Sequence, residues 1–338
     1  MSTSWGVLSG TPRLSTAQSY RDTRPIHSLG RRGNAVRLQF RQDHGAHGRR
    51  PLRSGHLATA TSQTNSLPKA PAVPRGVTYT SFEGNSWEMA FAKTGVRMLV
   101  DPWLVGSLTF ADSEWLYRGT KSVPMPSLKE VEAQVDFILI SQGLPDHAHI
   151  PTLQQLSKDL PVVASPSAAS ICVDLGFSNV TSLPAGQRCT LCNEKISILA
   201  TEGALVGPPW STREAGFLVT ERLSGGVSVY YEPHCDYLDS SVRALGPVDL
   251  VVSPVTSVDL AGFPLVKGYD NILELLRTLK PSVVVPLLNN SFDSDGLLVS
   301  TISSKGALDD LPARLEGNGI SGVRVAVPEP TVPLSIDL

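Results

Sequence analysis

Side chains with metal-binding chemistry are concentrated in two short segments of this 338-residue chain. The segment SQGLPDHAHIPTL contains Asp146, His147 and His149, and the segment YYEPHCDY contains Glu232 and His234. Neutral imidazole is the commonest protein ligand of zinc and related metals, and carboxylates often share such sites. The other four of the seven histidines all precede residue 57. This distribution predicts one metal site built from two segments that are distant in sequence.

Local patterns place the first segment at the end of a strand. The run VDFILIS is continuously apolar and β-branched, which is typical of a buried strand. The run IPTLQQLSKDL has Pro151 in its first turn and apolar residues at helical spacing, so it predicts a helix. Asp146, His147 and His149 therefore lie in a loop between a strand and a helix, where α/β folds commonly bind ligands.

In the rest of the chain, the sequence pattern predicts strands that first form a meander and then alternate with helices. VTYTSFEGNSWEMAFAKTGVRMLVDPWL indicates three strands with turns at Gly84 and at Thr94-Gly95. EAGFLVTERLSGGVSVYYEP indicates a hairpin that turns at Gly225-Gly226, and NILELLRTLK indicates a helix before the strand PSVVVPLL. This order predicts an α/β protein with two sheets covered by helices. No apolar run approaches the roughly 18 to 20 residues of a transmembrane helix, so no membrane partner is expected.

Five motifs follow one another as MLVDPWLVG, FILISQGLPDHAHIPTL, a strand ending in TEG, GFLV with SVYYEPH, and VVVPLL. This order resembles the metallo-β-lactamase superfamily, especially its UlaG-like branch and the plastid relatives of that branch in plants and algae. The resemblance extends over nearly all of the chain after residue 72. It implies a four-layer αββα sandwich in which loops from both sheets bind metals at one edge.

The family signature His-x-His-x-Asp-His is kept only in its second half. When the chain is aligned on Asp146 and His147, the first two signature histidines become Gln142 and Leu144. Leucine cannot bind a metal, and a glutamine oxygen is a weak donor compared with imidazole or carboxylate. Two other histidine positions of the family correspond to Glu202-Gly203 and Leu288-Asn289, and its bridging aspartate position corresponds to His234. A dinuclear zinc centre is therefore not expected.

A mononuclear site remains, with Asp146, His147 and His234 as the expected metal ligands. Three protein ligands and one water are sufficient for a catalytic zinc, which would supply hydroxide near neutral pH. Zinc is the expected ion, with manganese or iron as alternatives. Asp146, Glu232 and His149 are the expected catalytic groups, with Glu232 or His149 acting as a further ligand or as a proton carrier.

Two further residues are expected beside this site. Asp101, in the DPWL motif, is predicted to accept a hydrogen bond that orients His147, and Asn85 is predicted to line the same edge. The alternative is that no metal is bound: Asp146 then caps the helix that starts near Ile150, and the histidines only form hydrogen bonds across the edge of the sandwich.

The N-terminal segment has the composition of a targeting sequence. Up to about Gly76 the chain has twelve Lys or Arg and two acids, with many Ser and Thr and no apolar core. This pattern predicts an unstructured organellar transit peptide over residues 1–72. The resemblance to plastid relatives implies import to the plastid stroma and one metallo-β-lactamase-like domain over residues 73–338. The alternative is a basic tail that binds polyanions. The chain after Gly76 has 17 basic and 29 acidic residues, a net charge of −12 that argues against a nucleic-acid surface.

The function expected from these observations is metal-assisted hydrolysis of a small ester-like, amide-like or phosphodiester substrate. The alternative is a binding or regulatory module that has kept the fold without the metal. Trp210 and Arg213, in the loop GALVGPPWSTREAG, are candidates to cover the site or bind an anionic substrate, unless this loop is only a stiff connection. Cys189 and Cys192 form an isolated Cys-x-x-Cys, which is a weak zinc signal and favours a structural role.

Overall fold

The computed structural model describes residues 75–206, 210–289 and 291–338. The predicted transit peptide over residues 1–72 lies outside this part of the chain. The predicted domain is described from residue 75 onward.

The described residues form twenty strands, six α-helices and two 3₁₀ turns. The strands are β1 Gly76–Ser81, β2 Trp87–Phe91, β3 Arg97–Val100, β4 Leu108–Thr109, β5 Arg118–Thr120, β6 Phe137–Ile140, β7 Val162–Ala164, β8 Val180–Ser182, β9 Arg188–Leu191, β10 Ile196–Glu202, β11 Ala215–Glu221, β12 Ser228–Tyr231, β13 Leu250–Ser253, β14 Ser257–Leu260, β15 Phe263–Lys267, β16 Val283–Pro286, β17 Asp293–Asp295, β18 Ile302–Lys305, β19 Arg324–Val325 and β20 Leu334–Asp337. The helices are α1 Leu128–Glu132, α2 Ile150–Gln155, α3 Pro166–Asp174, α4 Asp239–Arg243, α5 Gly268–Leu279 and α6 Leu311–Gly317, and the 3₁₀ turns are Leu297–Thr301 and Leu308–Asp310. Each of these helices is too short or too polar to cross a bilayer.

Two large mixed sheets form the frame. In the first, the order is β20-β1-β2-β3-β6-β7-β8, and in the second it is β19-β16-β13-β12-β11-β10-β9. Strands β3, β6, β7 and β8 run parallel, as do β12, β13, β16 and β19. The predicted hairpin is confirmed, because β11 and β12 pair antiparallel around Gly225, whose φ is +65°.

Alternation of side chains along the strands gives three apolar layers. In β6, Phe137 and Leu139 pack between the sheets, and Ile138 and Ile140 pack under the helices α1 to α3. In β13, Leu250 and Val252 face the sandwich core, whereas Val251 packs under α4 to α6. Because successive strand residues point to opposite faces, continuously apolar strands need cover on both sides. The protein is therefore the four-layer αββα sandwich that the sequence predicts.

Two small three-stranded sheets flank the sandwich, with the orders β15-β14-β18 and β17-β5-β4. Their strands are short and weakly alternating, so local sequence patterns do not predict them. Helix α2 also differs from its prediction, because it ends at Gln155 rather than continuing through the apolar positions to Leu160. Leu156 is its C-cap, in an extended conformation with ψ 151°.

Candidate metal centre

Asp146, His147 and His234 meet at one edge of the sandwich. Each offers a ligand atom, and the three atoms lie within 4.8 Å of one another. Nε2 of His147 is 3.3 Å from Oδ2 of Asp146, and the ring centroids of the two histidines are 5.3 Å apart. Ligand atoms about 2 Å from a tetrahedral zinc lie about 3.3 Å apart, so this spacing suits one ion. The predicted approach of His147 to His234 is confirmed.

Strand ends bring these residues together. Asp146 and His147 lie in the loop between β6 and α2, where the backbone N–H groups of His147 and Ala148 both donate to the Leu144 carbonyl. His234 lies in the loop after β12 of the other sheet. That loop is stabilised by the buried Glu232 carboxylate, which accepts the backbone N–H groups of His234 at 3.1 Å and Asp236 at 2.8 Å.

Asp101 orients His147, as the sequence analysis predicts. Its carboxylate is fully buried directly after β3 and accepts the backbone N–H of Ser141 at 2.7 Å. The same carboxylate lies 2.7 Å from Nδ1 of His147 and accepts the Tyr231 hydroxyl at 2.7 Å. A hydrogen bond from Nδ1 to Asp101 leaves Nε2 of His147 directed toward Asp146 and His234.

The charges of the cluster depend strongly on one another. Burial disfavours an imidazolium, but the carboxylates of Asp146 and Asp101 outweigh it and raise the pKa of His147 to about 10. Burial also acts against the charge on Asp146, yet His147 lowers the pKa of that carboxyl to about 2. Burial and the charge of His147 lower the pKa of His234 to about 3. The two carboxylates therefore favour the protonated form of His147, and burial together with the charge of His147 disfavours protonation of His234.

Asn85 contributes to the same cluster, as predicted for the turn after β1. Its Nδ2 is 3.0 Å from Oδ2 of Asp146 and 3.2 Å from Nε2 of His147. Gln142 also lies beside the cluster, with its Nε2 3.3 Å from Nδ1 of His234. Among the described residues, Asn85 Oδ1, Gln142 Oε1 and Glu232 Oε1 are buried with no hydrogen-bond partner.

Buried oxygens without partners are costly, and a divalent cation is one group that would satisfy them. They lie on residues that surround an Asp-His-His donor set, which suits zinc, manganese or iron. The residues present therefore fit one divalent ion.

Glu232 and His149 differ in their surroundings. Burial raises the pKa of Glu232 to about 8, Asp236 adds to the effect, and the two backbone N–H groups oppose it. The ring of His149 lies 3.0 Å from Thr152 Oγ1 and 3.2 Å from the Ser107 carbonyl, and burial lowers its pKa to about 4. Both ring nitrogens of His149 are thus engaged, and the structure does not bring this residue into the cluster.

The predicted alternative for Asp146 is wrong, because the N-cap of α2 is His149. Arg213 also has a local role: its Nη1 donates to the Gly203 carbonyl at 2.6 Å and lies 3.5 Å from Asp236. The contact of Tyr231 with Asp101 is not among the predictions from the sequence. The alternation of side chains along β12 does indicate it, because it places Tyr231 on the inner face of the sheet, beside the predicted loop.

A cavity of about 540 Å³ opens onto the cluster. Its described lining is mainly apolar and comprises Gly84, Asn85, Trp103, Leu108, Phe110, Tyr117, Leu144, Asp146, Val206, His234, Val258, Leu260, Leu265, Asn289, Phe292, Ser294, Leu298, Ile302 and Ser304. Cavities of this size accommodate small molecules. Leu144, which precedes Asp146 in the same loop, is one of the lining residues.

The family is established by comparison of the sequence with known proteins. The profile of the beta-lactamase superfamily domain matches residues 78–288, which is more than half of the chain. The chain belongs to this superfamily, and its αββα architecture is the metallo-β-lactamase fold.

Two relatives are described as UPF0173 metal-dependent hydrolases. The protein from Thermoplasma acidophilum is 25% identical over 174 residues, which are 50% of this chain and 72% of the relative. The protein from Thermoplasma volcanium is 26% identical over 197 residues, which are 58% of this chain and 78% of the relative. A solved isothiocyanate hydrolase from Delia radicum gut bacteria has a TM-score of 0.58 and 17% identity, covering 77% of this chain and 99% of the other. That likeness shows the shared fold.

Proposed function

We propose that this protein is a metal-dependent hydrolase with a mononuclear site formed by Asp146, His147 and His234. The observation that carries the proposal is the convergence of their ligand atoms within 4.8 Å, with His147 oriented by Asp101. The relatives described as metal-dependent hydrolases support it. Zinc is the proposed ion, and manganese and iron suit the same donors.

The bound ion would lower the pKa of a water molecule enough to supply hydroxide near neutral pH. Asp101 accepts a hydrogen bond from Nδ1 of His147, so that Nε2 faces Asp146. Glu232, whose pKa is raised to about 8, does not line the cavity, and it holds the loop that carries His234 through the backbone N–H groups of His234 and Asp236. The apolar cavity excludes bulk water from the reacting bond.

A second candidate is a binding module that functions without a metal. The observation that favours it is the position of the His147 ring between two carboxylates, 2.7 Å from Asp101 and 3.3 Å from Asp146, since a proton on this ring would take the place of a cation. Replacement of the family histidines by Gln142 and Leu144 agrees with this alternative.

Metal content and thermal stability distinguish the two candidates. The purified full-length chain should contain about one zinc, manganese or iron per molecule, and a chelator should lower its melting temperature. Hydrolysis of 4-nitrophenyl esters should be lost with the metal and recovered when zinc is restored. If no metal is bound at micromolar zinc and the chelator leaves melting unchanged, the binding module is the correct function.

We further propose that the protein belongs to the UlaG-like branch and acts in the plastid stroma after removal of its N-terminal segment. The Arg- and Ser-rich, acid-poor composition supports plastid import. Import of the radiolabelled chain into isolated chloroplasts should give a shorter, protease-protected product. A product that remains accessible to protease and full length would disprove this location.

A further inference from the structure

The cavity beside the metal cluster has a polar end and an apolar body. Asn85, Asp146 and His234 line the polar end, so a reacting bond would lie there. The body is lined by aromatic and aliphatic side chains from the two small sheets and from the loop after β3. This division separates a reaction site from a site for an unreactive part of a ligand.

One wall of the body is the inner face of two paired strands. Val258 and Leu260 of β14 line the cavity, and they pair directly with Ser304 and Ile302 of β18. Alternate residues on these strands, such as Ser303, point away from the cavity. The regular alternation makes this wall a continuous, mainly apolar surface.

A second part of the lining is an aromatic cluster. Trp103, Leu108 and Tyr117 are buried together, with Phe110 and Phe292 packed against them. The rings of Trp103 and Phe292 meet edge to face at 5.0 Å between centroids. Aromatic walls of this kind bind alkyl and aryl groups through apolar contact area.

Positive charge is absent from the described lining, which includes no Lys or Arg. Recognition of phosphate or carboxylate groups normally uses such residues. Arg213, which the sequence offers as a residue to bind an anion, is engaged by the Gly203 carbonyl and Asp236. The net charge of −12 on the chain after Gly76 also disfavours an anionic ligand.

Segments that carry the cavity walls also expose apolar side chains. Trp115 is 72% exposed and Leu297 is 63% exposed, and the backbone N–H of Leu297 donates to the Trp115 carbonyl at 3.1 Å. Phe263, the first residue of β15, is 44% exposed. Large exposed apolar side chains beside an apolar cavity are typical of a binding surface for an apolar ligand.

We infer that the substrate is a neutral ester or amide that carries an alkyl or aryl group, with this group in the apolar body and the scissile bond at Asp146 and His234. This inference rests on the proposed hydrolase function. In the reaction, the oxygen of water forms a bond to the acyl carbon, the bond from that carbon to oxygen or nitrogen breaks, and the leaving group takes a proton. An acid and an alcohol or amine result, and no oxidant or reductant is required.

Binding and hydrolysis are measured separately on the full-length chain. Binding uses the non-hydrolysable 4-nitrophenyl methyl, butyl and octyl ethers, followed by quenching of tryptophan fluorescence. Each added methylene should tighten binding about four-fold until the cavity is filled, the ratio given by about 0.8 kcal/mol per buried CH₂. Hydrolysis uses 4-nitrophenyl acetate, octanoate and phosphate with zinc present. The octanoate should have the highest kcat/KM, and the phosphate should not be cleaved.

Two matched pairs of variants test whether the alkyl group of the ether binds in the cavity. Ser304→Lys should weaken binding of the octyl ether at least ten-fold, whereas Ser303→Lys on the other face of β18 should not. Leu260→Asp should have the same effect, whereas Leu223→Asp should not, because Leu223 is exposed in the turn between β11 and β12. Ser303 and Ser304 are both exposed, so the first pair carries little risk of misfolding.

The results separate the two proposals. Chain-length-dependent binding without hydrolysis by the zinc-loaded protein would overturn the hydrolase function while supporting an apolar ligand. Hydrolysis with equal kcat/KM for acetate and octanoate would support the hydrolase and overturn the apolar substrate. Preferential cleavage of 4-nitrophenyl phosphate would also overturn it.

Discussion

His147 is the residue on which the metal proposal depends most directly. One of its nitrogens is held by Asp101, and the other faces Asp146 at 3.3 Å. The same two carboxylates stabilise either a proton or a metal ion on this imidazole. Metal and proton therefore compete for Nε2, and pH decides how strongly the metal binds.

The stabilising effect of a bound metal should increase with pH. The pKa of His147 is raised from its ordinary value to about 10, so its contribution to stability is fully present below about pH 6.5 and is lost as pH rises through 10. The raised pKa of Glu232, about 8, acts in the same direction. Metal-free protein should lose stability over this window, and zinc should offset the loss. Melting temperatures measured with chelator and with zinc should diverge from pH 6.5 to 8.5.

The control for this prediction is Asp101→Asn, which removes one of the two carboxylates that hold the imidazolium. Its metal-free form should show a weaker dependence of melting temperature on pH. A difference between zinc and chelator that stays constant across the window would contradict the competition of metal and proton at His147.

His234→Ala should lower metal content and melting temperature together, because binding to the native state alone stabilises it. The matched control is His149→Ala, since this second buried histidine is engaged by Thr152 and the Ser107 carbonyl. Loss of those hydrogen bonds should cost on the order of 1 kcal/mol with metal content unchanged. Elemental analysis and melting with and without chelator check both. Equal metal content in the two variants would exclude His234 as a ligand.

At the scale of elements, the turn between β1 and β2 positions Asn85. Glu83 and Gly84 both have positive φ, 62° and 59°, and the Glu83 side chain is fully buried. Its carboxylate accepts the hydroxyl and the backbone N–H of Ser122, the latter at 2.9 Å. Lys121 donates to the Phe82 and Glu83 carbonyls and lies 3.7 Å from the centroid of the Trp103 ring. The segment after β5 therefore fixes this turn.

Ser122→Ala should reduce both stability and metal affinity. It removes a hydrogen bond to a buried carboxylate, at a cost of about 1.5–3 kcal/mol, and loosens the turn that presents Asn85. Ser127→Ala is the matched control, because Ser127 caps α1 through a capping box away from the cluster and should cost about 0.5–2 kcal/mol of stability alone. Urea unfolding and zinc titration measure the two effects. If both variants bind zinc equally well, the turn does not control the site.

At the scale of the whole molecule, the folded domain includes Arg75. Its guanidinium forms a 2.6 Å ion pair with Asp249, and its carbonyl accepts the backbone N–H of Leu338 at 3.0 Å. Strand β1 then pairs with β2 on one side and β20 on the other. The start of the folded domain therefore lies before residue 76.

A chain that starts at Ala70 should melt at the same temperature as the full-length chain, and one that starts at Thr78 should melt at a lower temperature. The second variant lacks the ion pair of Arg75 and the first two residues of β1. Calorimetry of both chains tests this. N-terminal sequencing of the protein from its native source should find a start between Ala70 and Arg75, because Arg75 belongs to the folded domain. Recovery of Ser2 as the first residue would contradict the targeting interpretation.

The sequence by itself determined the αββα layers, the hairpin at Gly225 and the loop position of Asp146 and His147. These features follow from hydrophobic patterns and from the order of family motifs. Each pattern or motif spans only a few consecutive residues, so it can be recognised without the tertiary structure. Only the tertiary structure decided which side chains meet. His234 reaches His147 through the packing of two sheets, Tyr231 reaches Asp101 across the sandwich, and His149 turns to Ser107 instead. The cavity depends on the small sheets, whose short strands carry little periodic signal, so its walls follow from long-range pairing such as Leu260 with Ile302.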